Sequence, residues 1–376
     1  MPNRTFRVGL DCRLAGQRHA GIGRYTQNLV RELLQLPNQC HWVFFFSDQQ
    51  QADQVLGEFA ALHRDSFEVV IASARHYSIA EQFQMPQLIA TQHLDLLHVP
   101  HFNVPLFYKG PVVVTIHDLL WHEYRGSDVT TLPGWQYWLK YAMYRTTVNN
   151  TVAKAQRIIV PAETVAAQVV HYYPSAKSKI VVTPEGVSAE FFSHHAATEP
   201  SPYFVYLGSL YPHKNVRLVI KALHNLPSYS LKIVSSRTVF QEKLKQEVDE
   251  LGVSSRVEFL GYQSDQDVTT LLGNATALVQ PSLSEGFGLT GLEAMAAGTP
   301  VLASDIPIFH EVYKDHALYF DPKSSASFEQ AVHKLETEDR QARTTAATNF
   351  VQNYQWKSMA EKTLEVYSDI LEPSHS

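Results

Sequence analysis

The sequence predicts an α/β protein made of two doubly wound, parallel-sheet halves, and three observations carry that expectation. Short apolar strands alternate with helical periodicities along the chain. The series breaks at a polar, proline-bearing stretch and starts again. The length of 376 residues exceeds one ordinary core, which favours two domains of about 150 to 200 residues each.

In order, the first series is FRVGLDC at Phe6, HWVFFFS at His41, FEVVIAS at Phe67, DLLHVP at Asp95, VVVTIHD at Val112, RIIVPA at Arg157 and KIVVTPEG at Lys179. Near-continuous apolar runs of this length are what strands buried on both faces look like. After the first of them, Gly21-Ile22-Gly23 opens a helix whose apolar positions Ile22, Tyr25, Leu29, Val30, Leu33 and Leu34 repeat at helical spacing. Ser193 to Pro202, SHHAATEPSP, has no periodicity and reads as a linker. The expected boundary lies near residue 197, giving domains 1–197 and 198–376. The second series is YFVYLGSL at Tyr203, LKIVSS at Leu231, RVEFLGY at Arg256, TALVQPS at Thr276, PVLAS at Pro300 and ALYFDP at Ala317. A last helix, Trp356 to Leu371, gathers Trp356, Met359, Ala360, Leu364, Tyr367 and Leu371 on one face, and it is expected to cross back and pack on the N-terminal domain.

Composition narrows the function. The net charge of −6 is unevenly spread, with the C-terminal half acidic and the N-terminal half close to neutral, so a duplex nucleic acid has no basic footprint to bind. Two cysteines, Cys12 and Cys40, do not make a disulfide framework and fit a reducing cytoplasm. The start of the chain has no apolar signal core, and its apolar runs are strand-sized, so no membrane-spanning helix is expected. His98 with His101 and His117 with His122 lack metal-site spacing, and no metal is expected.

The most informative stretch is SEGFGLTGLEAMAAGTPV, Ser284 to Val301, where Glu285 and Glu293 bracket a glycine-rich strand-to-helix turn. A helix expected from about Thr290 to Ala297 would present unpaired N–H groups there, which suit a phosphate. Gly286 and Gly288 permit close backbone approach. Glu285 precedes the helix, placed to face a hydroxyl-rich ligand. Glu293 lies on its first turns, within reach of a second diol. The alternative is a solvated Glu285 and a helix-surface Glu293. In GSLYPHKN, Lys214 is a candidate point charge for a diphosphate, with an ordinary solvated lysine as the alternative. His117-Asp118 ends the strand VVVTIHD at the edge where open α/β sheets bind ligands; Asp118 could orient His117 or cap the next segment, and a histidine satisfied in the core remains the other reading. The Gly21/Gly23 turn could cover donor phosphates or acceptor, or be a tight turn only. A dinucleotide site is disfavoured, because Thr26 stands where a third glycine belongs. WQYWLKYAMYRTTVNNTV, Trp135 to Val152, is aromatic-rich but carries only Lys140 and Arg145 as positive charge, so core or interdomain packing is favoured over a lipid-linked acceptor or a membrane interface.

SEGFGLTGLEAMA resembles the E-x7-E motif of retaining GT-B glycosyltransferases of family 4, and AGIGRYTQNLVREL, VPHFNVPL, VVVTIHDLLWHE and GSLYPHKNV resemble that family's other blocks in order. The resemblance covers nearly the whole chain. It implies a GT-B fold of two facing Rossmann-like domains, the N-terminal one for the acceptor and the C-terminal one for a nucleotide-sugar. It also implies that Glu285 contacts hydroxyls of the donor sugar, that Glu293 holds the ribose and that His117 faces the reacting sugar. Gly23, Ser209, His213, Phe287 and Leu289 complete the expected donor contacts, Tyr262 is a candidate for the base side, and Gly21 and Asp118 stand on the acceptor side. Many relatives carry an arginine at Ser209 or His213, so His213 would serve here as a partly charged donor, with an ordinary surface-loop histidine as the alternative. The implied reaction is metal-independent transfer of a hexose, with retention, to a hydroxyl of a glycan or lipid-linked acceptor. It needs no cofactor beyond the donor substrate. GDP-mannose is favoured because the GIGRYT, HDLLWHE and HKN blocks look most like mannosyltransferases of surface-polysaccharide assembly. UDP-sugars, a nucleotide-sugar isomerase, a sucrose- or trehalose-type synthase and a non-catalytic binding module remain as alternatives. A cytoplasmic place, with peripheral contact at the inner membrane face open, completes the expectation.

Overall fold

A computed structural model describes residues 5–16, 20–126, 130, 133–193, 201–236 and 239–372. The chain divides into two units. Unit 1 holds a seven-stranded, all-parallel sheet in the order β3-β2-β1-β4-β5-β6-β7: Phe6–Asp11, Cys40–Phe46, Phe67–Ile71, Leu96–Val99, Val112–Thr115, Arg157–Val160 and Ile180–Val182 for β1 to β7. Unit 2 holds a six-stranded, all-parallel sheet in the order β10-β9-β8-β11-β12-β13: Ser201–Leu207, Ser230–Val234, Val257–Gly261, Ala275–Gln280, Val301–Ser304 and Ala317–Phe320 for β8 to β13. Every apolar run picked from the sequence is one of these strands. Central strands such as β4, β5 and β12 are buried at every residue, which explains why their sequences do not alternate.

The strand order runs outward from β1 to β3 on one side and from β4 to β7 on the other, and likewise from β8 and from β11, so the winding reverses between β1 and β4 and between β8 and β11. In an open parallel sheet, ligands bind outside the carboxyl ends of the strands at that reversal. Unit 2 packs Phe204, Leu231, Ile233, Val279, Leu302, Phe328 and Val332 into one core. In unit 1, Trp42, Phe44, Phe45 and Phe46 of β2 are all buried.

The division differs from the expected boundary near residue 197. Unit 1 runs to Leu119, resumes through Glu185 and takes the chain from Trp356 onward, while unit 2 takes the short helix Leu120–Glu123 and everything from Gly186 to Gln355. The physical reason is side-chain packing. Ser284 Oγ donates to Glu123 Oε2 at 3.3 Å, the Tyr124 ring lies 6.0 Å from His213, and Phe191 is buried where the turn Ala189–Ser193 meets helices Asp265–Gly273 and Leu289–Ala296. Residues 194–200 of the expected linker lie outside the described residues.

Helix Trp356–Leu371 belongs to unit 1 and packs against helix Ala20–Gln35. Its buried face is Trp356, Met359, Ala360, Thr363, Val366 and Tyr367. Tyr367 anchors it: the hydroxyl meets Nδ1 of buried His98 on β4 at 2.5 Å, and the ring lies 6.2 Å from Trp42. The other His98 nitrogen meets Thr115 Oγ1 at 2.9 Å, so the imidazole is enclosed on both sides. Burial and nearby His117 push His98 down to about 3.

An acid-stability measurement follows. An unfolded chain protonates His98 below about pH 6.5 while the folded chain does not, so the contribution of this group is fully present above that pH and is lost progressively toward pH 3, by up to about 1.4 kcal/mol per pH unit. Urea midpoints of wild type and His98→Asn are expected to converge as the pH falls from about 7 to about 5. Parallel curves would remove His98 as the source.

Candidate functional site

A cluster of polar groups sits at the carboxyl edge of the unit 2 sheet, where three strand-to-helix loops meet. After β8 the chain makes one turn of 3-10 helix, Pro212–Lys214, and then a left-handed residue, Asn215, at φ 56°. Asparagine tolerates that conformation, and its side chain is used: Nδ2 donates to the carbonyls of Pro281 at 3.0 Å and Pro322 at 2.8 Å. One side chain thus ties the loops after β8, β11 and β13 together. Leu283 N donates to the His213 carbonyl at 2.8 Å, locking the same pair of loops through the main chain.

This arrangement brings Lys214 to Glu285, with Nζ to Oε1 at 2.6 Å, although 71 residues separate them in sequence. Ser282 Oγ donates to the same carboxylate oxygen at 2.9 Å. Both ends of the ion pair keep some solvent access, so they form a charged wall facing water rather than a sealed core pair. His213 is buried, flanked by the rings of Tyr211 at 5.9 Å and Tyr124 at 6.0 Å. Burial, then the neighbouring Lys214, lower its pKa to about 4, so the ring is neutral at pH 7. The positive charge of this loop therefore resides on Lys214, not on the partly charged histidine expected from the sequence.

Beyond Glu285 the chain turns sharply. Gly288 has φ 91° and ψ 36° and precedes helix Leu289–Ala296, which begins one residue earlier than the spacing suggested. The left-handed conformation favours glycine, and space demands it too: a Cβ on Gly288 would meet Phe309 Cε1 at 2.9 Å and overlap the Tyr313 hydroxyl. Tyr313 is fully buried, and its hydroxyl lies against Gln280 Oε1 at 2.5 Å and against the Gly288 carbonyl oxygen. Gln280 Nε2 in turn donates to Thr290 Oγ1 at 2.6 Å in the first turn of the helix. Tyr313 and Gln280 thus fix the helix start from below, and Gly291 N donates to the Gly288 carbonyl at 3.0 Å in the first turn. Phe287 is buried against Tyr354 at 6.0 Å, and Leu289 and Glu293 are buried as well. Tyr262, just past β10, is exposed, and Ser209 holds the Tyr206 hydroxyl through its carbonyl at 2.6 Å. Gly286 lies in the turn between Glu285 and Gly288.

In unit 1, His117 follows β5 at the carboxyl edge of the sheet, with Asp118 next to it. Its Nδ1 lies 3.1 Å from Glu185 Oε1, its Nε2 lies 3.3 Å from the Pro100 carbonyl, and Tyr25 packs edge-on at 4.7 Å. A neutral imidazole has one N–H and can serve only one of those two acceptors at a time. Glu185 was not singled out from the sequence, because nothing local in KIVVTPEG marks it as the partner of a histidine 68 residues away. Gly21 and Gly23 do not form a loop ahead of the helix. The helix starts at Ala20, and Gly23 is pressed against the Gly16 carbonyl, where any Cβ would overlap it. Gly16 N donates to Gly23 O at 3.1 Å, so the glycine serves close backbone packing here.

A second unit 1 cluster was also invisible in sequence. Buried Arg13 bridges Asp11 at 2.6 Å and Glu81 at 2.8 Å, and Asn103 Nδ2 donates to both Glu81 oxygens at 3.1 and 3.0 Å. Burial alone would raise Asp11, but Arg13 more than offsets it and holds the carboxyl at about 2, whereas burial prevails at Glu81 and raises it. The cluster braces the exits of β1 and β4.

The position of Tyr313 gives a sharp test. Tyr313→Phe keeps the ring and deletes the hydroxyl, taking its donor from the buried Gln280 carbonyl oxygen while Gly288 O keeps the Gly291 N–H, and is expected to lower unfolding stability by about 1 to 3 kcal/mol and weaken binding at the helix start. Chemical denaturation and titration with a nucleoside diphosphate check it; unchanged binding would mean that the turn holds its shape without this hydroxyl.

Two family models cover the chain in succession: Glycosyltransferase Family 4 over residues 19–191 and Glycosyl transferases group 1 over residues 187–369. Among curated proteins, the O-antigen chain mannosyltransferase RfbU of Salmonella typhimurium is 32% identical over 250 residues, 66% of this chain and 67% of that protein. O-antigen chain mannosyltransferase B of Escherichia coli is 23% identical over 92% of this chain and 95% of its own length. Among solved structures, a sucrose-phosphate synthase from Thermosynechococcus elongatus superposes with a TM-score of 0.74 at 16% identity, covering 98% of this chain and 100% of that one. WaaG, a glycosyltransferase involved in lipopolysaccharide biosynthesis, superposes with a TM-score of 0.69 at 17% identity over 98% and 100%. With the parallel sheets, the Glu285 turn and these matches agreeing, the chain belongs to the GT-B glycosyltransferases of family 4 and is a hexosyltransferase.

Proposed function

We propose that this enzyme moves mannose from GDP-mannose to a hydroxyl of a glycan or lipid-linked acceptor, with retention at the anomeric carbon and without a catalytic metal ion. The observation that carries the reading is the Lys214–Glu285 pair at 2.6 Å beside the left-handed turn at Gly288. It sets a cation, a carboxylate and a helix N-terminus side by side, which are the parts needed for a diphosphate joined to a polyol. The choice of mannose is supported by the two O-antigen chain mannosyltransferases among the relatives. A peripheral, cytoplasmic enzyme is the setting that this donor chemistry suits.

In the proposed reaction the diphosphate lies against Lys214 and the first N–H groups of helix Leu289–Ala296, while Glu285 accepts hydrogen bonds from sugar hydroxyls. Gly286, Phe287, Gly288 and Leu289 shape the turn around the donor, with Ser209 and His213 flanking Lys214. Glu293 is assigned to the ribose and Tyr262 to the base. The bond from the anomeric carbon to the diphosphate oxygen breaks with both electrons going to the diphosphate, whose growing charge Lys214 stabilises. The acceptor oxygen forms its bond on the face the diphosphate leaves, and its proton passes to a diphosphate oxygen. In unit 1, His117, held by Glu185, is assigned to the reacting sugar, and Asp118 and Gly21 to the acceptor side.

Thermal-shift measurements over GDP-, UDP-, ADP- and dTDP-sugars test the donor. A ligand bound only by the folded state stabilises it by about 2.7 kcal/mol at a hundred times its Kd, and GDP-mannose is expected to give the largest shift. A shift with a UDP-sugar alone would overturn the choice. Lys214→Ala is expected to lower kcat by about a hundredfold or more, the scale for loss of one group aimed at developing negative charge, and Glu285→Ala to abolish turnover. Product analysis without acceptor separates the isomerase alternative, which would return an epimerised sugar.

A further inference from the structure

In the turn between β3 and helix Ile79–Ala90, Tyr77 adopts the left-handed region at φ 61°. A bulky L-residue is strained there, so the surrounding structure has to impose the conformation. The buried ionic cluster of unit 1 does so. Glu81 Oε2 accepts the Tyr77 N–H at 2.7 Å, and Glu81 is itself held by Arg13 after β1 and by Asn103 after β4. Arg13 Nη1 also donates to the Ala74 carbonyl at 2.9 Å, three residues before the tyrosine. Ser78 Oγ accepts from Glu81 N at 3.1 Å and caps the helix. Side chains from three elements thus converge on one strained residue, and what they present to solvent is an aromatic ring: Tyr77 is 54% exposed.

The groups beside that ring are those that hold a sugar. The hydroxyl end is enclosed, with Oη 3.3 Å from Nδ1 of buried His101, whose ring lies 3.9 Å from Phe102. Phe102 meets Tyr144 at 5.1 Å, on the buried face of helix Gly134–Lys154; that helix leaves Trp135 and Trp138 exposed, so the packing expected for this segment holds for one face only. Burial, then the carboxylates of Glu81 and Asp118, raise the Tyr77 hydroxyl above the usual phenol range, so Asp118 lies within electrostatic reach of it. The ring therefore stands near the residue that follows His117, at the carboxyl edge where β1, β3, β4 and β5 exit. A tyrosine face covers the C–H face of a pyranose, while a carboxylate and an imidazole meet its hydroxyls. The same carboxylates repel a phosphate, and Arg13, the cation inside the cluster, has no exposed side-chain surface to offer one.

We propose that Tyr77 is a specificity-determining residue of the acceptor site: its strained ring stacks on an uncharged pyranose of the glycan acceptor, whose hydroxyls meet Asp118 and His101. The proposal rests on the reading of unit 1 as the acceptor side, and it is measured with no donor present, so the donor choice and this assignment can fail separately. Titration calorimetry of the full chain with octyl glycosides of mannose, galactose and N-acetylglucosamine, each with and without a 6-phosphate, reads it. At least one neutral glycoside is expected to bind, and its 6-phosphate to bind more weakly. Tyr77→Gly removes the ring and relieves the strain, so it is expected to unfold at no lower temperature than wild type and to bind that glycoside about tenfold more weakly, the scale for truncating an aromatic anchor. Tyr77→Asn, a second residue at ease in the left-handed region, is expected to give the same loss, and Tyr77→Phe to restore most of the affinity. Absence of binding by every neutral glycoside would overturn the proposal, as would Tyr77→Gly or Tyr77→Asn binding as wild type. Tighter binding of the 6-phosphates, lost in Arg75→Ala, would also overturn it and assign the site to a charged acceptor through that exposed arginine.

Discussion

Parallel pairing in both sheets is the constraint on which the rest of this molecule depends. A parallel neighbour requires a crossover, so the chain returns over the sheet after each strand, through a helix in all but the β4–β5 connection, and the connections leave the strands at the same edge. The carboxyl edge then collects groups that are far apart in sequence. Lys214 follows β8 and Glu285 follows β11, yet they lie in contact because β8 and β11 are adjacent in the sheet. His117 after β5 meets Glu185 after β7 on the same principle. Apolar strands thus do more than build a core: their order fixes which loops share a site.

Both units stiffen that edge from beneath, with different chemistry. Unit 2 uses neutral groups: Tyr313, Gln280 and Thr290 form a buried chain of hydrogen bonds under the Gly288 turn, and Asn215 stitches three loops through its amide. Unit 1 uses charge, with Arg13 sealed between Asp11 and Glu81. Removing one partner of a buried ionic cluster leaves an uncompensated charge, so such a cluster specifies one arrangement of its loops more than it adds stability. The neutral bracing lies directly under the helix terminus proposed to meet a diphosphate, and Lys214 supplies positive charge beside it.

The division of the chain shows how packing overrides order along the sequence. A linear reading separates the halves at a polar linker, whereas helix Trp356–Leu371 joins unit 1 through Tyr367 and His98, and Leu120–Glu123 joins unit 2. The amphipathic face of the last helix was legible as a periodicity that had to be covered, and its burial at Trp356, Met359, Ala360 and Tyr367 follows that pattern. The helix Gly134–Lys154 went the other way. Its scarcity of positive charge favoured packing, but a helix in contact on one side buries only one stripe, and composition does not say on which side Trp135 and Trp138 fall.

The sequence by itself determined the strands, their burial on both faces, the glycine turn with Glu285 and Glu293, and the family resemblance, because these are local: apolar runs, helical spacing and turn residues act within a dozen positions. Only the tertiary structure decided that Lys214 pairs with Glu285, that Tyr313 and Gln280 hold Gly288, that Glu185 orients His117 and that burial strips His213 of its charge. Those outcomes rest on contacts across tens of residues, on exclusion of water and on which face of a helix meets a neighbour, and no periodicity within a single segment records them.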